Sequence, residues 1–193
     1  MALMVVPPGE VAVIVTTLEM RERPAARALP DTDLRLVRWA QPDPAKYRAL
    51  FRRVGAPWLW HSRLTIDDDA LLAAIDRPET QVFAVIDRAG IEVGLLEFTH
   101  PAPNWCQLDY LALVPELTGK EHGRWLMAMA LGMMWRPGVE LVRVNTGSLD
   151  HPGALGFYRR QGFMPVLRTV ETFPDPRLNG VLPPEAAPHV PIL

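Results

Sequence analysis

LDYLALVPELTGKEHGRWL, residues 108–126, is the stretch on which the reading of the fold turns. An apolar run ends at Val114-Pro115-Glu116, a short turn carrying Gly119 and Gly123 follows, and a helix begins near Arg124-Trp125-Leu126. A strand that turns through glycines into a helix is a common phosphate-binding arrangement. The first N–H groups of the helix lack internal partners and carry the positive end of its dipole. Glycine lets backbone approach an anion closely. The turn is not a Walker loop, since no Gly-Lys-Ser/Thr is present, nor a dinucleotide fingerprint, which needs three spaced glycines. Glu121 stands in its middle, an unexpected charge for an anion site.

The bulk of the chain fits one ordinary globular domain: 193 residues, 49% apolar and 22% charged. A net charge of −2 offers no basic surplus for a nucleic-acid backbone. Cys106 is the only cysteine, which excludes an internal disulfide and a thiolate metal cluster. It follows Trp105 in an apolar run and reads as a buried structural thiol. No apolar run approaches the roughly 20 residues of a membrane helix. The apolar N-terminus lacks a positive start and is broken at Pro7-Pro8-Gly9-Glu10, so it does not read as a signal peptide. The expected location is the cytoplasm.

Outward from the turn, the pattern predicts strands over 11–18, 33–39, 105–113, 140–146 and 163–173. Residues 81–87 and 92–100 read as a hairpin through Arg88-Ala89-Gly90. Helices are expected over 44–54, 67–75, from 119 to about 135, and over 152–161, the last stopped by Gly162. Asp67, Asp68 and Asp69 open the second of these, where the helix dipole favours negative charge. The order gives one mixed α/β domain over 1–173, then a proline-rich arm or partly disordered tail over 174–193.

Leu113-Val114-Pro115-Glu116, the turn, and Arg124-Trp125-Leu126-Met127 resemble the acyl-CoA-binding motif of the GNAT superfamily of N-acetyltransferases. LDHPGALGFYRRQGF, residues 149–163, resembles the second motif of that superfamily more closely still. The two stand in the right order with the matching strand between them. The resemblance implies the acyl-CoA N-acyltransferase fold: a mixed, mostly antiparallel twisted sheet with a splayed central parallel pair, flanked by helices. It implies acetyl-CoA as acyl donor, no metal, and an amine or peptide acceptor; a homodimer is left open, and no nucleic acid or membrane partner is expected.

The resemblance also distributes roles. The pyrophosphate would rest on Gly119, Lys120, Glu121, His122, Gly123 and Arg124, and the pantetheine arm along Leu111 and Leu113. Tyr158 falls where the superfamily places the general acid. The glutamate that helps deprotonate the acceptor in several of these enzymes is matched by Gln107, which is no base. Asp109, on the same face of the strand, and Glu97, on the preceding strand, are equal candidates for that role. His151 stands where asparagine is usual, and Glu121 replaces the first glycine of the usual pair. Trp58 and Trp60 lie where acceptor-binding loops vary and would wall the acceptor. The first reading is an N-acetyltransferase acting by direct attack on the thioester. The alternative is a catalytically weak acyl-CoA-binding relative, a sensor or interaction module, which Gln107 and Glu121 favour.

Overall fold

The computed structural model of the protein describes residues 3–25 and 28–193. Among them, seven strands and four helices follow in the order β1 (Glu10–Met20), β2 (Arg35–Arg38), α1 (Pro44–Gly55), α2 (Asp68–Ile75), β3 (Thr80–Ile86), β4 (Glu92–Ala102), β5 (Trp105–Leu113), α3 (His122–Met134), β6 (Leu141–Gly147), α4 (Ala154–Gln161) and β7 (Met164–Pro174). The strands form one sheet ordered β2-β3-β4-β5-β6-β1-β7. Every neighbouring pair is antiparallel except β5 and β6. No helix among the described residues is long and apolar enough to cross a membrane.

The parallel pair is short. Trp105, Cys106, Gln107 and Leu108 face Leu141, Val142, Arg143 and Val144, and pairing stops there. Both strands run on, β5 to Leu113 and β6 to Gly147, so they part beyond that rung. β5 also carries a bulge. Glu97 pairs with Tyr110 and Phe98 with Leu108, which leaves Asp109 without a partner on β4. Bulges re-aim the side chains beside them. Here the extra residue puts Tyr110 edge-on to Phe51 of α1, with ring centroids 4.9 Å apart.

Local chemistry explains most element boundaries. Asp43 caps α1, its Oδ1 accepting from Lys46 N at 2.7 Å, and Tyr47, Leu50, Phe51 and Val54 are buried at helical spacing. Asp67 lies just outside α2 as its cap, accepting from Ala70 N. The expected start of α3 at residue 119 is three residues early. Gly119 and Glu121 have φ of +76° and +65°, which a right-handed helix cannot include, so α3 begins at His122. The helix expected from Pro152 begins at Ala154, after a turn over Pro152 and Gly153. Neither Asp150 nor His151 is its N-cap; that position is Gly153.

Residues 175–193 hold neither helix nor strand, yet they are packed. Leu182, Ala186 and Ala187 form a second apolar cluster with Val11 of β1 and Leu59. Arg177 holds this arm together. It pairs with Asp175 at 2.6 Å, both side chains at most 3% exposed, and donates to the carbonyls of Ala186, Ala187 and Val190.

Removing one partner of a buried ion pair leaves an uncompensated charge and costs about 3–5 kcal/mol. Arg177→Met is expected to lower stability in urea by that order. The double variant Arg177→Met, Asp175→Asn should lose less, because no lone charge stays buried. The guanidinium also holds Asp175 below its ordinary carboxylate value of 3.8. That stabilisation is therefore complete above this value and fades as acid titrates the folded carboxyl below it. A single-variant loss under about 1 kcal/mol, measured against the 3–5 kcal/mol scale, would show that the arm is not clamped in this way.

Candidate active site

A cleft of about 760 Å³ opens where β5 and β6 part. One end is the turn before α3. Among the described residues, the backbone amides of Gly119, Lys120, Glu121, His122 and Gly123 donate to no protein acceptor, while Arg124 N and Trp125 N both donate to Glu121 O. Such unmatched amides at a helix start suit an anion. Glu121 occupies a left-handed conformation that glycine adopts at little cost. Its carboxylate does not cap the helix but pairs with Arg124 one turn on. Gly119, Glu121, Gly123 and Arg124 line the cleft; Lys120 and His122 do not. His122 turns away, its Nδ1 3.0 Å from Thr32 Oγ1, and Lys120 is exposed outside the cleft wall.

The middle of the cleft is formed by Leu111, Ala112 and Leu113 of β5 and by Phe157 and Tyr158 of α4. Tyr158 is the more buried of the two aromatics, 8% exposed and packed edge-on to Phe163. Burial, with a smaller contribution from the charge of Asp150, pushes its phenol above the usual range and keeps it protonated. Phe157 lies partly buried against α3, where a Cβ on Gly123 would sit 3.8 Å from its ring.

The far end is walled by Trp58 and Trp60. Trp60 Nε1 donates to Asp150 Oδ1 at 3.0 Å, and Asp150 Oδ2 accepts from Thr146 Oγ1 and Gly147 N at 2.8 and 2.7 Å. His151 also lines the cleft, edge-on to Trp58 at 5.5 Å, with its Nδ1 accepting from Gly153 N. Gly55 is needed for this packing, since a Cβ there would come within 2.6 Å of Trp60 Cβ. Leu59, between the tryptophans, is left-handed at φ +55° and buried against the C-terminal arm.

The two carboxylates considered as bases lie behind this wall, on the face of the sheet covered by α1 and α2, and line no part of the large cleft. Glu97 is fully buried. Arg63 Nη2 donates to its Oε1 at 2.5 Å and the Tyr47 hydroxyl to its Oε2. Among the described residues, Asp109 accepts only from Thr99 Oγ1, at 2.7 Å, and it opens onto a smaller cavity of about 460 Å³. Desolvation raises its carboxyl to about 6; Thr99 opposes this, and the Glu97 charge adds to it. Sequence patterns gave Arg63, Tyr47 and Tyr110 no role at the site. None belongs to a motif, and Tyr110 is brought to this face by a bulge that period-two alternation does not reveal.

The sequence model of the acetyltransferase (GNAT) family matches residues 35–163, and the chain belongs to that family. A search of curated protein sequences gives no match. Among solved structures, the chain is similar to a GCN5-related N-acetyltransferase from Sphaerobacter thermophilus, at 15% identity and a TM-score of 0.57, covering 86% of this chain and 52% of that one. It is similar to a tandem GNAT protein from the clavulanic acid biosynthesis pathway, at 19% identity and a TM-score of 0.56, covering 84% and 53%. It is also similar to the aminoglycoside acetyltransferase meta-AAC0020 from an uncultured soil metagenomic sample, at 21% identity and a TM-score of 0.55, covering 67% and 88%. The chain thus spans about half the length of the first two. Strands β1 and β7 lie outside the residues that the family model matches.

Asp109 offers a test of its surroundings. Its folded value, about 6, exceeds the ordinary 3.8, so the folded protein holds this proton more tightly than the unfolded chain. Stability contributed by the protonated form is full below 3.8 and lost as pH rises through about 6. At about 1.4 kcal/mol per pH unit the loss is at most about 3 kcal/mol, less what solvent in the cavity screens. Asp109→Asn keeps an acceptor for Thr99 and should raise the urea midpoint at pH 7.5 while changing it little at pH 4. Equal effects at both pH values would show that the carboxyl is not desolvated as the structure places it.

Proposed function

We propose that the chain transfers an acetyl group from acetyl-CoA to a primary amine by direct attack of the amine on the thioester. The observation that carries this is the joining, in one cleft, of a run of unmatched amides at a helix start with a buried, protonated tyrosine beside a parted strand. The amides of residues 119–123 would hold the phosphates, and the β5 edge at Leu111 and Leu113 the pantetheine arm. A backbone N–H of that edge would polarise the thioester carbonyl. The amine nitrogen attacks the carbonyl carbon and the C–S bond breaks. Sulfur leaves with the bonding pair and takes the phenolic proton of Tyr158, which is restored from solvent. The ammonium proton of the acceptor passes to Asp109 through water, because that carboxylate does not line the donor cleft.

Asp109 is preferred to Glu97 as base for a geometric reason. Both oxygens of Glu97 are held, one by Arg63 and one by Tyr47, and protonating it would break a buried ion pair. Asp109 has one neutral donor and faces open space. Raised to about 6, it is also a stronger base than an ordinary carboxylate. The second reading, an acyl-CoA-binding relative with weak catalysis, is favoured by the carboxylate of Glu121 at the amide turn. Release of free thiol from acetyl-CoA with a panel of amines separates the two: bound acetyl-CoA without thiol release supports the second.

Acetyl-CoA is expected to raise the melting temperature in a concentration-dependent way, because it binds the folded state only. No shift at millimolar acetyl-CoA, in a sample with native circular dichroism, sinks both readings. Tyr158→Phe should lower turnover about 10²-fold or more, the range a positioned acid contributes, and leave acetyl-CoA affinity nearly unchanged. Full turnover in that variant would assign Tyr158 to packing alone.

A further inference from the structure

The smaller cavity is a separate space from the cleft that would hold the donor. Its floor is Ala70, Ala73 and Ala74 of α2, small side chains that leave room, and Trp105 adds a flat apolar wall. Its polar groups are Arg63, Arg77, Thr99, Gln107 and Asp109. Its volume, about 460 Å³, is enough for a small molecule, and it is open to solvent, with Ala70 and Ala73 exposed.

The charges here are separated and balanced. Arg63 and Arg77 are positive; Asp109 and, behind Arg63, Glu97 are negative. Arg63 spends Nη2 on Glu97, and its Nε is buried with no partner among the described residues. Arg77 is exposed and uses Nε on Thr80 Oγ1. Asp109 shares one oxygen with Thr99. The site therefore keeps guanidinium donors and a carboxylate free to meet a ligand. A lone anion would be repelled by Asp109, and a simple amine would leave the remaining donors of Arg63 and Arg77 without an acceptor on the ligand. A molecule carrying both charges satisfies both, and a carboxylate suits guanidinium donors geometrically.

Position connects this cavity to the reaction. Asp109 is the first residue of β5 beyond the last rung shared with β6. Leu111, two residues further on, lines the donor cleft. At about 3.3 Å per residue, an amine held at Asp109 lies on the order of 7 Å along the strand from that cleft. Trp60, which lines the donor cleft, packs on Tyr110 with ring centroids 5.1 Å apart, and Arg63, which lines the smaller cavity, lies over the Tyr110 ring, so the two spaces are neighbours.

We infer that this cavity binds an amine that also carries a carboxylate, an amino-acid-like zwitterion with an apolar side chain, with its carboxylate toward Arg63 and Arg77 and its amine toward Asp109. As an acceptor assignment it rests on the acetyl-transfer reading; as a binding site it does not. Leucine is the probe, with 3-methylbutylamine, which lacks the carboxylate, and 4-methylpentanoate, which lacks the amine. Affinities are measured by calorimetry and thermal shift without acetyl-CoA. Leucine should bind at least 10-fold more tightly than either analogue. Arg63 is a poor site to vary, because its loss strands Glu97. Arg77→Gln, at an exposed position, should weaken leucine binding about 10-fold or more, weaken 4-methylpentanoate in the same direction, and leave 3-methylbutylamine unchanged. Equal binding of all three, absence of leucine binding, or an unaltered Arg77→Gln overturns the inference. Adding acetyl-CoA and weighing the product then tests the reaction alone: leucine bound but never acetylated leaves the site standing and counts against the acceptor role.

Discussion

Strands β5 and β6 pair from Trp105 to Leu108 and then part, and the site depends on that separation. A strand interior normally spends its N–H and C=O groups on neighbours, and buried groups left over are costly. The two lips of the split meet this constraint differently. On the β6 side, Asp150 reaches back to take the Gly147 N–H, and β1 pairs along the other edge. On the β5 side, Leu111, Ala112 and Leu113 face the cleft while β4 pairs along their other edge. One lip is closed by a side chain; the other is presented to whatever enters.

The walls of the split are fixed by contacts that reach across the chain. Glu97, Arg63 and Tyr47 join β4, the segment after Trp60, and α1 in one buried network. Burying an ion pair gains little stability over apolar packing, but breaking one is expensive. The effect is to hold Arg63, and Tyr110 beneath it, in one place. On the other side of the same segment, Leu59 docks into the arm clamped by Arg177, and His61 stacks on Phe173 at 4.3 Å. The tryptophan wall thus lies between two rigid supports, one on the sheet and one in the last residues of the chain.

What the sequence made legible was whatever is local. Tyr47, Leu50, Phe51 and Val54 announce α1 by their spacing, and Asp87-Arg88-Ala89-Gly90 closes its hairpin with Asp87 accepting from Ala89 N and Ile91 N. The two motifs gave the family and the parted pair. What was hidden is set by distant partners. Residues 11–18 read as a strand, but nothing in them says that β1 lies between β6 and β7. Arg177, in a proline-rich stretch, looks like a solvated charge until Asp175 and three carbonyls surround it. Glu97 is held by Arg63, which no periodicity marks.

Glu121 shows how a charge that opposes a proposed anion site can be accommodated by it. A lone carboxylate about 6 Å from a bound phosphate would repel it by roughly 2–3 kcal/mol at an effective dielectric near 20. In the structure the carboxylate is not alone, since Arg124 pairs with it across one helical turn. Both side chains are more than half exposed, so this pair contributes little to stability and is easily exchanged. A phosphate bound at the amides of the turn would meet this neutral pair instead of a lone carboxylate. The repulsion would then be offset by the guanidinium beside the carboxylate. The left-handed backbone at Glu121 remains the larger departure, because a side chain occupies a conformation that glycine holds without strain.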